Sequence, residues 1–173
     1  MDEKVINNSM KFKVIKKIRV FDFDDTLVIT DAEIAVPSKG IKLSTQEFAK
    51  YKELHPDEIY DYSEFRNGKL QNPNPTAFFK TAFKRIVAKG DSDVLILTAR
   101  PNIQEIKDYL SSYIDPDKLI IVGGAQTPEM KKNEIANLLD DYESIVFFDD
   151  SVANIEAVNS LGSPKVKTQI VKK

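Results

Sequence analysis

The chain has no cysteine and a single histidine among its 173 residues. Without cysteine there is no disulfide framework, no thiolate nucleophile and no cysteine-bound zinc. One histidine excludes His-rich metal sites and any mechanism that needs two imidazoles. That residue, His55, sits in a polar stretch beside Pro56 and reads as a surface side chain. Charge of one sign is also missing: 25 Lys and Arg stand against 27 Asp and Glu, so the net charge is only −2 and a globally basic nucleic-acid coat is excluded. No uninterrupted apolar run is long enough for a bilayer, and the start, MDEKVINNSMKFK, has neither an apolar h-region nor a small-residue cleavage site. The expectation is a cytoplasmic protein with no membrane association and no obligate protein partner. Internal repeats and low-complexity tracts are absent as well.

What is present suits one folded domain with a modest insertion, since 42% of the residues are apolar and can fill a core. Short runs rich in Val, Ile and Phe occur at Ile18 to Phe23, Val94 to Leu97, Leu119 to Val122, Ile145 to Phe148 and Val166 to Val171. Runs of this length and composition fit buried strands of a parallel sheet. Helical spacing lies between them. Phe78, Phe79, Ala82, Phe83, Ile86 and Val87 recur at three and four residues and stop at Gly90. Ile103, Ile106 and Leu110 follow Pro101, and Ile135, Leu138 and Leu139 follow Thr127 and Pro128. Ile155, Val158 and Leu161 end at Gly162 and Pro164. Strand and helix in alternation predict an α/β three-layer sandwich, Rossmann-like, with a central parallel sheet.

One segment breaks the rhythm. From about residue 30 to 75 there is no further parallel strand, but there are several prolines, the aromatics Phe48, Tyr51, Tyr60, Tyr62 and Phe65, and a short helix after Ser44 and Thr45. A structureless loop of that length is unusual, so the segment is expected to be an insertion with its own small structure, its aromatics packing together. Residues 1–17 form an expected arm and 18–173 the core, with Phe12 and Val14 extending the first strand. The basic string Lys11, Lys13, Lys16, Lys17 and Arg19 alternates with apolar residues and predicts the wet side of an edge strand.

Ligands of open α/β sheets bind beyond the C-terminal strand ends. There the chain places Asp22, Asp24, Asp25 and Thr26 after the first run, Thr98, Ala99 and Arg100 after the second, and Asp149, Asp150 and Ser151 after the Ile145 run. Acids converging from separate strands are costly unless a cation neutralises them. Carboxylates without usable His or Cys point to a hard, oxygen-seeking ion, Mg²⁺ by default, which is the usual partner of phosphoryl transfer. Asp22 and Asp24 also read as turn acids, Thr98 as a helix-capping hydroxyl, and Arg100 either as a phosphate clamp or as half of a surface ion pair.

DFDDTL, LTAR, a lysine at the start of a helix, and FFDDSVAN, in that order, resemble the motifs of the haloacid dehalogenase-like (HAD) phosphatases. The resemblance runs from about Ile18 to Leu161 and leaves out the insertion, which follows the first motif where that family carries a cap. It implies a Mg²⁺-dependent phosphohydrolase acting on a phosphorylated substrate, either a small molecule such as a nucleotide or a nucleic-acid end. Asp22 is then the nucleophile that becomes an aspartyl-phosphate. Asp24 is the acid that protonates the leaving group and later activates water, held beside other acids that favour its protonated form. Thr98 hydrogen-bonds a phosphoryl oxygen. The metal ligands are the Asp22 carboxylate, the Asp24 carbonyl and one of Asp149 and Asp150, with Asp150 preferred as direct ligand and Asp149 behind it. The lysine is Lys131 or Lys132. Lys131 is preferred because it lies four residues before Ile135 and shares its sheet-facing side. Asn154 is expected to orient the acidic pair. The final motif is a double Asp in place of the commoner Gly-Asp with a later acid.

Other readings of the same residues are a response-regulator-type phosphoacceptor domain, a phosphate-binding module without turnover, and a phosphomutase or phosphotransferase. The first needs its acceptor acid on a middle strand, where this chain offers Thr98 and Gly123.

Overall fold

The apolar runs assemble into one sheet. A computed structural model describes residues 16–172 of the protein, so Lys11, Phe12, Lys13 and Val14 of the expected arm lie outside the described residues. In chain order the strands are β1 (Lys17–Phe21), β2 (Val28–Ile29), β3 (Ile34–Val36), β4 (Ile41–Leu43), β5 (Asn74–Pro75), β6 (Asp93–Leu97), β7 (Ile120–Val122), β8 (Ser144–Asp149) and β9 (Val166–Ile170). The helices are α1 (Thr45–Leu54), α2 (Lys84–Lys89), α3 (Gln104–Leu110), α4 (Pro128–Ala136) and α5 (Val152–Asn159).

The main sheet has the order β7-β6-β1-β8-β9, and every neighbouring pair is parallel. The architecture is therefore the expected α/β sandwich. The expected edge position of the basic string is corrected: β1 is the middle strand, hydrogen-bonded on both sides. Its basic residues sit near the N-terminal edge of the sheet, where Lys17 is exposed and Arg19 pairs with Asp91 at 2.8 Å. After β1 the chain builds outward through β6 and β7, then returns to the opposite side of β1 as β8. This reversal opens a crevice at the C-terminal end of β1, the place where such sheets bind ligands.

Side chains alternate across a strand, so each strand feeds two cores. Ile18, Val20, Leu95, Leu97, Ile145 and Phe147 face one side, packed by Ile135 of α4 and by Ile155 and Val158 of α5. Phe21, Val94, Ile96 and Phe148 face the other, packed by Phe83, Val87, Ile106 and Leu110. The Phe21 ring stacks on Phe148 at 4.7 Å and meets Phe83 edge-on at 4.8 Å. Burying each such side chain contributes about 1.5–3 kcal/mol, which anchors β1 between both layers.

The helix expected from Phe78 to Val87 begins as a wider π-helical turn, Phe79–Phe83, before α2. Both Phe79 and Phe83 are fully buried through that turn. Gly90, at φ 66°, ends the helix in the left-handed conformation that glycine adopts without steric cost. No helix among the described residues is long and apolar enough to cross a membrane.

The segment between β1 and α2 holds two short antiparallel strand pairs and a helix. β2 pairs antiparallel with β5, and β3 with β4. Helix α1 follows with a capping box, in which the Ser44 hydroxyl accepts from the Glu47 amide and the Glu47 carboxylate accepts from the Ser44 amide. Phe48 of α1 meets Tyr60 and Tyr62 edge-on, at 5.0 and 5.7 Å. His55 ends α1 on the surface and packs against Tyr51 at 4.3 Å. Because α1 buries no residue, it depends on its cap more than a core helix does. Ser44→Ala is expected to cost about 1 kcal/mol. Hydrogen exchange should show the loss confined to α1, with amides of β1 and β8 unchanged.

Candidate active site

Strand parity brings the acids together. Val20 lies opposite Phe147 and Phe21 opposite Phe148, and the Asp22 amide donates to the Phe148 carbonyl at 2.9 Å. One step further, Asp22 and Asp149 emerge side by side on the face that already carries Ile18, Val20, Ile145 and Phe147. Helix α4 covers this face. Its buried Ile135 fixes the helix, and the residue one turn earlier, Lys131, points down onto the two carboxylates.

The Lys131 Nζ donates to Asp22 Oδ1 at 2.6 Å and to Asp149 Oδ2 at 3.0 Å. It is only 3% exposed, and Asp149 is fully buried. Burial alone lowers a lysine pKa, but here the Asp22 and Asp149 charges and hydrogen bonds outweigh it, so the ammonium is held firmly protonated. Burial pushes the Asp22 carboxyl well above the usual carboxylate range, the Asp149 and Asp150 charges add to this, and Lys131 opposes it. The site therefore holds more negative charge than Lys131 balances. Lys132, in contrast, lies at the helix surface within 4.0 Å of Glu129.

The Asp149 oxygens are well used. Oδ2 also accepts from Asn154 Nδ2 at 3.0 Å, and Oδ1 accepts from the Ser151 amide at 2.9 Å. Asp150 is half-buried and faces Thr26, whose hydroxyl lies 3.2 Å from Asp150 Oδ1 and 3.0 Å from Asp22 Oδ2. That hydroxyl accepts the Asp150 amide at 3.0 Å, so its one proton serves the two carboxylates alternately. Asp22, Asp149 and Asp150 each offer a carboxylate oxygen within 4.8 Å of the others.

Asp24 is placed differently from the expectation. Acids were expected to crowd it, yet its carboxylate is clasped by Arg100: Nε donates to both oxygens at 2.9 and 3.1 Å, and Nη2 to Oδ1 at 2.8 Å. The surface ion pair considered for Arg100 is corrected too, because the residue is 1% exposed. Its Nη1 meets Glu105 at 3.3 Å, and the Phe65 ring covers the guanidinium at 4.9 Å. Burial raises the pKa of Glu105 while Arg100 opposes the rise, and Glu105 Oε2 has no hydrogen-bond partner among the described residues. The Arg100 loop is held by a close approach at Gly123, where a Cβ would lie 2.6 Å from the Arg100 carbonyl oxygen. Thr98 is fully buried and accepts the Arg100 amide at 3.1 Å. Its hydroxyl proton has no acceptor among the described residues.

A cavity of about 410 Å³ opens above these groups. Asp22, Asp24, Arg100, Lys131 and Asn154 line it from the core, and Phe48, Lys52, Tyr62, Phe65 and Arg66 line it from the segment after β2. Thr98 is not among its lining residues.

No protein-family model matches the chain, and no curated protein matches it in sequence. Solved structures do match. A HAD-superfamily hydrolase from Ehrlichia chaffeensis superposes with a TM-score of 0.52 at 16% identity, over 90% of this chain and 90% of that one. The HAD domain of the effector protein Lem4 from Legionella pneumophila gives 0.52 at 18% identity, over 91% of this chain and 87% of that one. The chain has the haloacid dehalogenase-like fold.

On this HAD-like fold, Asp22, Asp149, Asp150, Lys131 and Asn154 meet at one point. Asp24 stands at the edge of the same cavity, and Thr98 lies behind its wall. Sequence reasoning passed over Thr26, whose hydroxyl ties Asp22 to Asp150, and left Arg100 outside the site. The signal for Thr26 was its position four residues after Asp22 at a strand end. For Arg100 it was proximity to Thr98 on the neighbouring strand.

Proposed function

We propose that the chain is a Mg²⁺-dependent phosphohydrolase that turns over phosphate monoesters through an aspartyl-phosphate on Asp22. The observation that carries this reading is the placement of Asp22: a buried carboxylate facing an open cavity, with an ammonium on one oxygen and two further carboxylates beside it. In the first half-reaction an Asp22 oxygen attacks phosphorus, the ester bond breaks, and Asp24 gives a proton to the departing oxygen. In the second, the Asp24 carboxylate takes a proton from water, the water oxygen attacks phosphorus, and Asp22 leaves with its electron pair. The structure holds Asp24 as a carboxylate at the cavity edge through Arg100; to act, it would leave Arg100 and take up from solvent the proton that it then gives to the leaving group. Lys131 fixes the attacking carboxylate and offsets charge on the transferring group. Thr98, buried behind the cavity wall, accepts the Arg100 amide and so holds the Arg100 loop at the rim of the site.

The donor set fits a hard divalent cation, since it is made of carboxylates in excess of their compensating charge. Asp22, Asp150 and the Asp24 carbonyl would hold it. Asp149 is committed to Lys131, Asn154 and the Ser151 amide, which favours Asp150 as the direct ligand. Bound there, Mg²⁺ would neutralise the carboxylates and polarise phosphoryl oxygens.

A stability consequence follows from the crowding. A carboxyl whose folded pKa is raised contributes stability in acid, and that stability is lost as pH rises through the folded value. Metal-free protein should therefore weaken as Asp22 ionises, and Mg²⁺ should reverse the loss. At Mg²⁺ about a hundredfold above its Kd, the expected stabilisation is about 2.7 kcal/mol, a rise in melting temperature of several degrees at neutral pH and less at pH 5. Thermal denaturation with Mg²⁺ and with a chelator checks it. The function itself is tested by incubating pure protein and Mg²⁺ with generic phosphate esters. Hydrolysis that stops on chelation is the expected result, and an inert protein contradicts the proposal.

A further inference from the structure

The wall of the cavity that faces Asp22 belongs to the segment between β2 and β5, and its chemistry is specific. Phe48, Tyr62 and Phe65 present half-buried rings, Phe48 and Tyr62 packed edge-on against each other and Phe65 against the Arg100 guanidinium, before any ligand arrives. Lys52 and Arg66 lie on the same wall, and neither forms an ion pair among the described residues. Lys52 only rests over the Phe48 ring at 5.5 Å. The acids of the floor already have Lys131 and Arg100, and a metal would take the remainder. The wall cations are thus left for a ligand. At about 410 Å³ the cavity falls within the ~300–1,000 Å³ range of sites that enclose an organic ligand, which leaves room beyond a phosphate at Asp22.

From these features we infer that the leaving group is a nucleoside carrying at least one further phosphate, as at a nucleic-acid end. The base stacks on the face of one of Phe48 and Tyr62, whose planes cross at 88°, with the other ring beside it, and the additional phosphate meets Lys52 and Arg66. Rings bind bases through their π faces regardless of sequence, and cations track the backbone, so the pairing suits a single strand recognised without base readout. A plain sugar phosphate would use neither the rings nor the spare charges. The inference rests on the phosphohydrolase reading for its chemistry, but the recognition can be measured without turnover.

The experiment has a catalytic and a binding arm. Release of phosphate is compared for a short phosphorylated oligonucleotide (5′- and 3′-phosphate forms), adenosine monophosphate, ribose 5-phosphate and a phosphotyrosine peptide. The expected kcat/KM for one oligonucleotide form is at least about tenfold above ribose 5-phosphate, and Phe48→Ala narrows that ratio by about tenfold. Lys52→Gln with Arg66→Gln, both exposed and safe for folding, should raise KM for the oligonucleotide and flatten its salt dependence. Equal rates for ribose 5-phosphate, or a preference for the peptide, overturn the inference while leaving the phosphohydrolase reading intact. Calorimetric binding of the same oligonucleotide and ribose 5-phosphate to Asp22→Asn covers the case of no hydrolysis. Tighter oligonucleotide binding upholds the recognition of a nucleoside with a further phosphate even then, and equal binding refutes it.

Discussion

Asp22→Asn is expected to lower phosphate-ester hydrolysis by at least about a thousandfold, because the amide cannot form the acyl phosphate. The protein should stay folded. Asparagine has the same shape, its carbonyl oxygen can still accept from Lys131, and the change removes a buried charge from a cluster with too many. The defect belongs to kcat, since the cavity and the Lys131 ammonium remain to bind substrate. Steady-state kinetics together with a denaturant midpoint near the parent value would separate this outcome from unfolding. Activity within a few fold of the parent would remove Asp22 from the chemistry.

Lys131→Met should be the most destabilising single change at the site. It leaves Asp22 and Asp149 buried without their shared cation, and breaking a buried pair by deleting one partner costs about 3–5 kcal/mol. Hydrolysis should fall as well, because the attacking carboxylate loses its anchor. Lys132→Met provides the control. That residue sits at the surface beside Glu129, where such pairs contribute about 0–1 kcal/mol, so stability and turnover should hardly change. Urea denaturation of both variants decides between the two lysines. Equal, small losses would mean that Lys131 is not the charge that holds the cluster together. Mg²⁺ should recover part of the Lys131→Met loss, since either cation relieves the same repulsion.

The strands were legible in the sequence for a physical reason. A strand buried on both faces needs apolar residues throughout, so Val94 to Leu97 and Ile145 to Phe148 stand out from their surroundings. Their order in the sheet was not legible, because buried strands look alike. The basic residues before Val20 pointed to an edge, whereas β1 lies at the centre with its charges near the N-terminal end of the sheet. Lys131 could be preferred over Lys132 because helical spacing from Ile135 is a local property. The partner of Arg100 was hidden for the opposite reason. Asp24 is remote in sequence, and which acid a buried guanidinium meets depends on the packing of β6, the Gly123 approach and the Phe65 ring together. The same holds for Thr26, which joins two acids only once β1 and β8 are in register.

The central claim is that Asp22 attacks phosphorus, and covalent trapping tests it most directly. Protein mixed with Mg²⁺ and a hydrolysed ester, quenched rapidly and treated with borohydride, should carry a reduced side chain at Asp22 in the peptide spanning β1 and its turn. Omitting the ester should abolish the modification. Steady hydrolysis with Asp22 never modified, or modification at another residue, would contradict the account.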